Sequence, residues 1–271
     1  MPRFQQGAPL ATPHPMNILD SEFSDLETPD GLMRTHLFRP AAPGRYPGIL
    51  LFSEIFHVTG PIRRTAAFLA AQGFLVAVPE IFHEFEPLGT VLPYTQGGTD
   101  RGNWCKVNKP LGAYDTDTAA VVAFLQNHPL CTGKLGSLGI CIGGHLNFRA
   151  CFHPEILAGV SYYATDIHKL ESHPRGLGLG MADDSLERAR QGAIHGEILM
   201  IWGRQDPHIP FEGRRQVQAA LEESGTNYQW LEFNAAHAFL RDEGPRYNAV
   251  LAQQTLAIST ELFHRTLSRP D

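Results

Sequence analysis

Three residues in this chain have the types and spacing of an acyl-transfer site. Cys141 stands in Gly139-Ile140-Cys141-Ile142-Gly143-Gly144, with small residues two before and two after it. That spacing suits a strand-to-helix turn too tight for a Cβ at either flank, with the central side chain lifted above the sheet in a strained conformation. The N-terminus of the following helix adds partial positive charge that favours a thiolate. A thiolate nucleophile needs a base, and the base needs an orienting carboxylate. Asp206 lies in Gly203-Arg204-Gln205-Asp206-Pro207-His208 and His237 in Asn234-Ala235-Ala236-His237-Ala238-Phe239. Taken singly, these are a structural thiol in a Gly-rich turn, a helix-capping Asp and a loop His. Taken together, they follow the chain order nucleophile, acid, base, and each of the last two falls just past an apolar run.

Those apolar runs are the elements that must position them. Pro47–Phe52, Phe74–Val78, Lys134–Gly139, Ala158–Tyr163, Glu197–Trp202 and Tyr228–Phe233 read as buried strands. Helices are expected over Arg63–Gln72, with Pro61 in the first turn and Gly73 as the stop, and over Ala113–Asn127, Gly143–Phe152, Phe211–Ser224 and roughly Pro245–Thr266. The polar stretch Glu84–Pro110 reads as a loop excursion. Strands alternating with helices predict an α/β fold with a mainly parallel central sheet and helices on both faces. Ligands of such sheets bind beyond the carboxyl ends of the strands. Cys141, Asp206 and His237 all fall there, as does Glu54, just after the first apolar run.

Composition narrows the remaining classes. The 271 residues carry 22 Lys+Arg against 28 Asp+Glu, a formal net charge of −6, with no basic run. This argues against a nucleic-acid or membrane-surface binder. No apolar stretch reaches the roughly 18 residues a membrane span needs. The first residues, MPRFQQGAPLATPHPMN, lack the apolar core of a signal peptide, so a cytoplasmic location is expected. Four cysteines are too few and scattered for a disulfide scaffold, and Cys105, Cys131 and Cys151 read as ordinary reduced thiols. The 13 histidines show no metal-binding spacing, so neither a metal nor an organic cofactor is expected. Nothing in the patterning demands assembly beyond a monomer or small homo-oligomer.

The motifs GICIGG at Cys141, GRQD at Asp206, AAHAF at His237 and Phe52-Ser53-Glu54-Ile55-Phe56 resemble the dienelactone hydrolase family, over about Leu32 to the C-terminal helix. The resemblance implies an α/β-hydrolase fold and hydrolysis of a small-molecule ester or lactone by a Cys-His-Asp triad. It implies that Glu54 contacts the resting thiol and helps to activate it. The oxyanion hole would be the backbone N–H groups of Ile142 and Ile55. Arg241, four residues after His237, matches a position that binds a substrate carboxylate, and Ala238 stands where a Ser is common. Glu84 stands where a second arginine is usual; a carboxylate there would repel a substrate anion and points to an ester or lactone other than dienelactone. The expected layout is one domain over residues 1–271, with 1–31 an N-terminal extension. Residues 166–196 form an insertion and candidate lid, helical over Asp183–Gln191. A carboxylesterase or thioesterase would use the same residues on another acyl substrate. The reading from another class is a non-catalytic ligand-binding protein of the same fold.

Overall fold

The apolar runs become the middle of one sheet. The computed structural model describes residues 17–168, 179 and 183–268. Its strands are β1 (Ile18–Thr28), β2 (Gly31–Pro40), β3 (Tyr46–Phe52), β4 (Leu75–Pro79), β5 (Cys131–Ile140), β6 (Ile156–Tyr162), β7 (Glu197–Gly203) and β8 (Tyr228–Phe233). They lie side by side in the order β1-β2-β4-β3-β5-β6-β7-β8. From β4 through β8 neighbouring strands run parallel; β2 pairs antiparallel with both β1 and β4. The helices are α1 (Gly60–Ala71), α2 (Gln96–Asn108), α3 (Leu111–Asn127), α4 (Ile142–Ala150), α5 (Ser185–Arg190), α6 (Phe211–Glu223) and α7 (Ala249–Leu267). Ile49, Leu50 and Leu51 on β3, every residue of β4 and Ile198–Trp202 on β7 are buried, as continuous apolar strands covered on both faces should be.

Register does the positioning. Phe52 of β3 pairs with Gly139 of β5, Ile140 with Tyr162 of β6, and Gly203 of β7 with Phe233 of β8. The strands therefore end level with one another, and the loops that follow emerge on one edge. Glu54, Cys141, Asp206 and His237 are each within four residues of such an end.

Two expectations need correction. Residues 18–28, expected within an extension ahead of the fold, form β1, which continues the sheet by pairing along β2. The segment ILDSEFSDLET carries acidic residues and no fully buried position, so it lacks the apolar alternation that marks a strand. Cross-strand ion pairs support it instead: Arg34 with Asp25 at 2.8 Å and Arg39 with Glu22 at 2.7 Å. Second, the excursion over 84–110 contains α2, with Thr95 as N-cap accepting from the Gly98 N–H. Three glycines and the lack of an apolar stripe hid this helix.

Of the insertion over 166–196, α5 falls within the stretch expected to be helical, Asp183–Gln191. Residues 169–178 and 180–182, with the core of the candidate lid, lie outside the described residues. No helix among the described residues is long and apolar enough to cross a membrane.

The β1–β2 hairpin is tied to the core by Phe38 of β2, which is fully buried. Phe38→Ala is expected to cost about 3–5 kcal/mol, read as a lower urea midpoint at unchanged slope. A loss below about 1 kcal/mol would mean that the hairpin is not part of the cooperative core.

Candidate active site

The turn from β5 into α4 places Cys141 at φ 64° and ψ −119°, a left-handed backbone that a non-glycine residue adopts only under constraint. Its neighbours supply that constraint. A Cβ at Gly139 would overlap the Gly143 carbonyl, and one at Gly143 would meet the Phe52 carbonyl and lie 2.5 Å from the Ser53 oxygen. The Cys141 N–H donates to the Tyr162 carbonyl at 3.1 Å. The Cys141 carbonyl accepts from Gly144 at 3.0 Å and Thr165 at 3.2 Å. The two peptide units that flank the Cys141 Cα are thus held by β6, the first turn of α4 and the loop after β6. The N–H of Ile142 opens α4 and has no acceptor within the helix.

From the neighbouring strand ends come the other two groups. His237 Nε2 lies 3.3 Å from Cys141 Sγ, and His237 Nδ1 lies 2.6 Å from Asp206 Oδ2. The second carboxylate oxygen of Asp206 accepts from the His208 backbone N–H at 2.8 Å, fixing the plane of the acid. The edges of Tyr163 and His208 pack on the imidazole, at centroid separations of 4.9 and 4.8 Å. Burial by itself would drive the His237 pKa down. The charge of a Cys141 thiolate and the hydrogen bond to Asp206 outweigh it and raise the value to about 10. The imidazole thus stands between an acid and a thiol, placed to take up and hold a proton.

Glu54 is buried, 2 % exposed, after the end of β3. Burial raises its pKa, opposed by the charges of Arg241 and His237 and by a hydrogen bond from the Tyr94 hydroxyl at 3.2 Å. Arg241 Nη1 stands 3.8 Å from the carboxylate, and its guanidinium lies 4.4 Å from the Tyr94 ring centroid. Tyr94 is itself held by Thr59, hydroxyl to hydroxyl at 2.7 Å.

A cleft of about 190 Å³ opens over these groups. Cys141, His237, Glu54, Ile55 and Arg241 line it, in keeping with their places after the strand ends. Asp206 sits behind His237, and Ile142 is buried under the thiol's turn. Glu84 is not among the lining residues. Its carboxylate meets Lys109 Nζ at 2.6 Å in a buried cluster that also includes Asp117 and His83. The Glu84 carboxylate is turned away from the cleft, toward an ammonium that it shares with Asp117. Glu84 does follow β4, as the resemblance implied, but its side chain turns to a cation supplied 25 residues later.

The sequence missed several lining residues. Thr99, Asn103 and Lys106 come from α2, Asp166 from the loop after β6, and Arg246 from the segment before α7. Lys106 and Asp166 form a buried ion pair at 2.6 Å. His208 also lines the cleft; only its place two residues after Asp206 could have drawn attention to it. His83, Glu84 and Asp117 bring ligand-type atoms within 4.8 Å of one another, the one such group among the described residues. The Lys109 ammonium, 2.5 Å from Asp117, is already the cation of that cluster, so these residues fit an internal ion network better than a metal.

The chain is similar to known proteins along most of its length. The profile of the dienelactone hydrolase family matches residues 33–267. A Saccharomyces cerevisiae protein named "Putative carboxymethylenebutenolidase" is 37% identical over 261 residues, 92% of this chain and 93% of its own. A carboxymethylenebutenolidase of Pseudomonas sp. strain P51 is 25% identical, covering 87% and 91%. Among solved structures, a Klebsiella pneumoniae protein titled as a "Putative Dienelactone Hydrolase" superposes with a TM-score of 0.73 at 18% identity, over 92% of this chain and 99% of that one. The sheet order and these likenesses make the fold that of the α/β-hydrolases.

The four thiols should differ sharply in reactivity. Burial pushes Cys151 up to about 12 and Cys105 up to about 11, and raises Cys131 too, whereas Cys141 is partly exposed beside His237. His237 is raised from 6.5 to about 10, so its proton is retained above pH 6.5 and lost only as pH rises through about 10. Iodoacetamide should therefore label Cys141 first, and His237→Ala should slow the labelling at neutral pH. Mass spectrometry of the labelled peptides checks both; equal labelling of Cys105 would contradict the assignment.

Proposed function

The chain belongs to the dienelactone hydrolase family of carboxylic ester hydrolases, and from that premise we propose that Cys141 is the nucleophile that opens a small ester or lactone. The observation that carries this reading is the continuous hydrogen-bonded line Cys141–His237–Asp206, at 3.3 and 2.6 Å, on a strained turn that opens to the cleft. The Cys141 thiolate attacks the carbonyl carbon, and the carbonyl π pair moves onto oxygen. The resulting oxyanion is held by the N–H groups of Ile142 and Ile55. Collapse expels the alkoxide or enolate oxygen, which takes the proton from the His237 imidazolium. A thioester to Cys141 remains. His237, now neutral, removes a proton from water as the water attacks that thioester. The second collapse releases the carboxylic acid and restores the thiolate. Asp206 keeps His237 in one tautomer and stabilises its charged form. Glu54, beside this chemistry and balanced by Arg241, activates the resting thiol.

A thiolate is a good leaving group, so the first intermediate reverts unless the other leaving group is comparable. Activated esters, enol-lactones and thioesters fit this constraint and amides do not. Of the cations that line the cleft, Arg241 is offset by Glu54 and Lys106 by Asp166, which leaves the charge of Arg246 to favour a substrate that carries negative charge. The relatives' name, carboxymethylenebutenolidase, describes a substrate of this kind. A cytoplasmic location is part of the same proposal and rests on the sequence reading alone.

A panel of enol-lactones, aryl esters and acyl thioesters, each with and without a carboxylate, tests the reading. Hydrolysis is expected, with a lower KM for the anionic members. Cys141→Ala should abolish it, and Asp206→Asn should lower kcat by about 10⁴ while leaving the fold intact. Near-full turnover by Cys141→Ala would sink the assignment. Stoichiometric binding of the lactones without turnover would favour the ligand-binding alternative.

A further inference from the structure

We propose that Gly102 of α2 is a positioning residue for the oxyanion hole, setting the Ile55 N–H by letting the helix backbone rest directly on Ile55. The proposal rests on the reading of Ile55 as an oxyanion donor. A Cβ at Gly102 would collide with the Ile55 carbonyl oxygen and lie 3.0 Å from the Ile55 Cβ and 3.2 Å from its carbonyl carbon. These are backbone and Cβ atoms, not the far end of a flexible side chain, so the peptide would have to move. A glycine inside a helix costs about 0.5–1 kcal/mol relative to alanine, so its presence calls for a reason such as this close approach. A Cβ added at Gly97, in the same helix, would meet no neighbouring element within 4 Å, and no such reason applies there.

The rest of the segment is built to press on the same loop. The Leu92 N–H donates to the Phe56 carbonyl at 3.1 Å, and Tyr94 packs edge-on against Phe56 at 4.7 Å. At its other end α2 is tied down by the Lys106–Asp166 ion pair, at 2.6 Å. Asp166 itself has φ 70° and follows Thr165, whose N–H holds the Cys141 carbonyl. The helix thus spans from the Ile55 loop to the loop that braces the nucleophile. The N–H and carbonyl of Ile55 belong to peptide planes that share its Cα. Pushing the carbonyl away changes ψ at Ile55, and the contact on the Ile55 Cβ shifts the Cα that also carries the N–H, moving this donor from the point where the oxyanion forms.

The test separates oxyanion geometry from nucleophile strength. Alkylation by iodoacetamide is a displacement at carbon that builds no oxyanion, whereas ester hydrolysis builds two in succession. Gly102→Ala should lower kcat for an aryl ester at least about tenfold, up to the 10²–10³ lost when one donor is removed. KM and the rate of Cys141 alkylation should stay near wild type. Gly97→Ala, the matched substitution in the same helix, should leave all three unchanged. Folded Gly102→Ala with wild-type kcat overturns the proposal while leaving the hydrolase reading intact, as does an equal loss of turnover and alkylation. A wild-type protein without Cys141-dependent turnover overturns both. Should Gly102→Ala not accumulate, Lys106→Met cuts the other tie of α2 without adding bulk. It should lower kcat, with Lys106→Arg retaining it; wild-type kcat in Lys106→Met then overturns the proposal.

Discussion

The left-handed backbone at Cys141 is the constraint on which the site depends. Such a conformation costs of order 1–3 kcal/mol at a non-glycine residue, and the surrounding structure must over-determine it. Here the turn between β5 and α4 closes so tightly that Gly139 faces the Gly143 carbonyl and Gly143 faces the carbonyls at the end of β3. The peptide of Cys141 is then clamped by Tyr162, Gly144 and Thr165. The sheet's register transmits this constraint sideways. With β3, β5, β6, β7 and β8 ending level, His237 reaches Cys141 and Asp206 reaches His237 without long or mobile arms.

Buried charge is the second organising feature, and it is handled the same way throughout. Glu54, Asp206, His237, Lys106, Asp166 and Lys109 are all at least nine-tenths buried. An isolated charge in such surroundings would neutralise or draw in water, so each is paired or hydrogen-bonded. Glu54 is offset by Arg241 and Tyr94, Lys106 by Asp166, and Lys109 by Glu84 and Asp117. Removing one partner would leave the other uncompensated. These networks specify side-chain positions more than they add stability, and two of them define walls of the cleft.

Much of this was legible in the sequence, for reasons that differ by element. β3, β4 and β7 are short apolar runs because parallel strands are buried on both faces. The elbow is legible because backbone crowding forces glycine at fixed offsets, and Asp206 and His237 because they follow strands in a constrained order. β1 and α2 were not legible. The strand is an exposed edge held by ion pairs to β2, and the helix is glycine-rich with a polar face turned to the cleft. Both depend on partners distant in sequence, so no local pattern of burial records them.

Glu84 shows where the division falls. Residue order alone determined the candidate nucleophile, acid and base, because covalent spacing at strand ends and the exclusion of a Cβ are local requirements. The family resemblance, not residue order, pointed to Glu54 and Ile55, just past the end of β3, and to Arg241, beyond the end of β8. Which way a long charged side chain turns is decided by where its counter-charge lies once the chain is folded. Tertiary structure turned Glu84 to Lys109 and brought Lys106, Asp166, His208 and Arg246 to the cleft. It also laid α2 against Ile55. Electrostatic pairing and close backbone contact act through space, and their strength depends on distance and burial, neither of which is written along the chain.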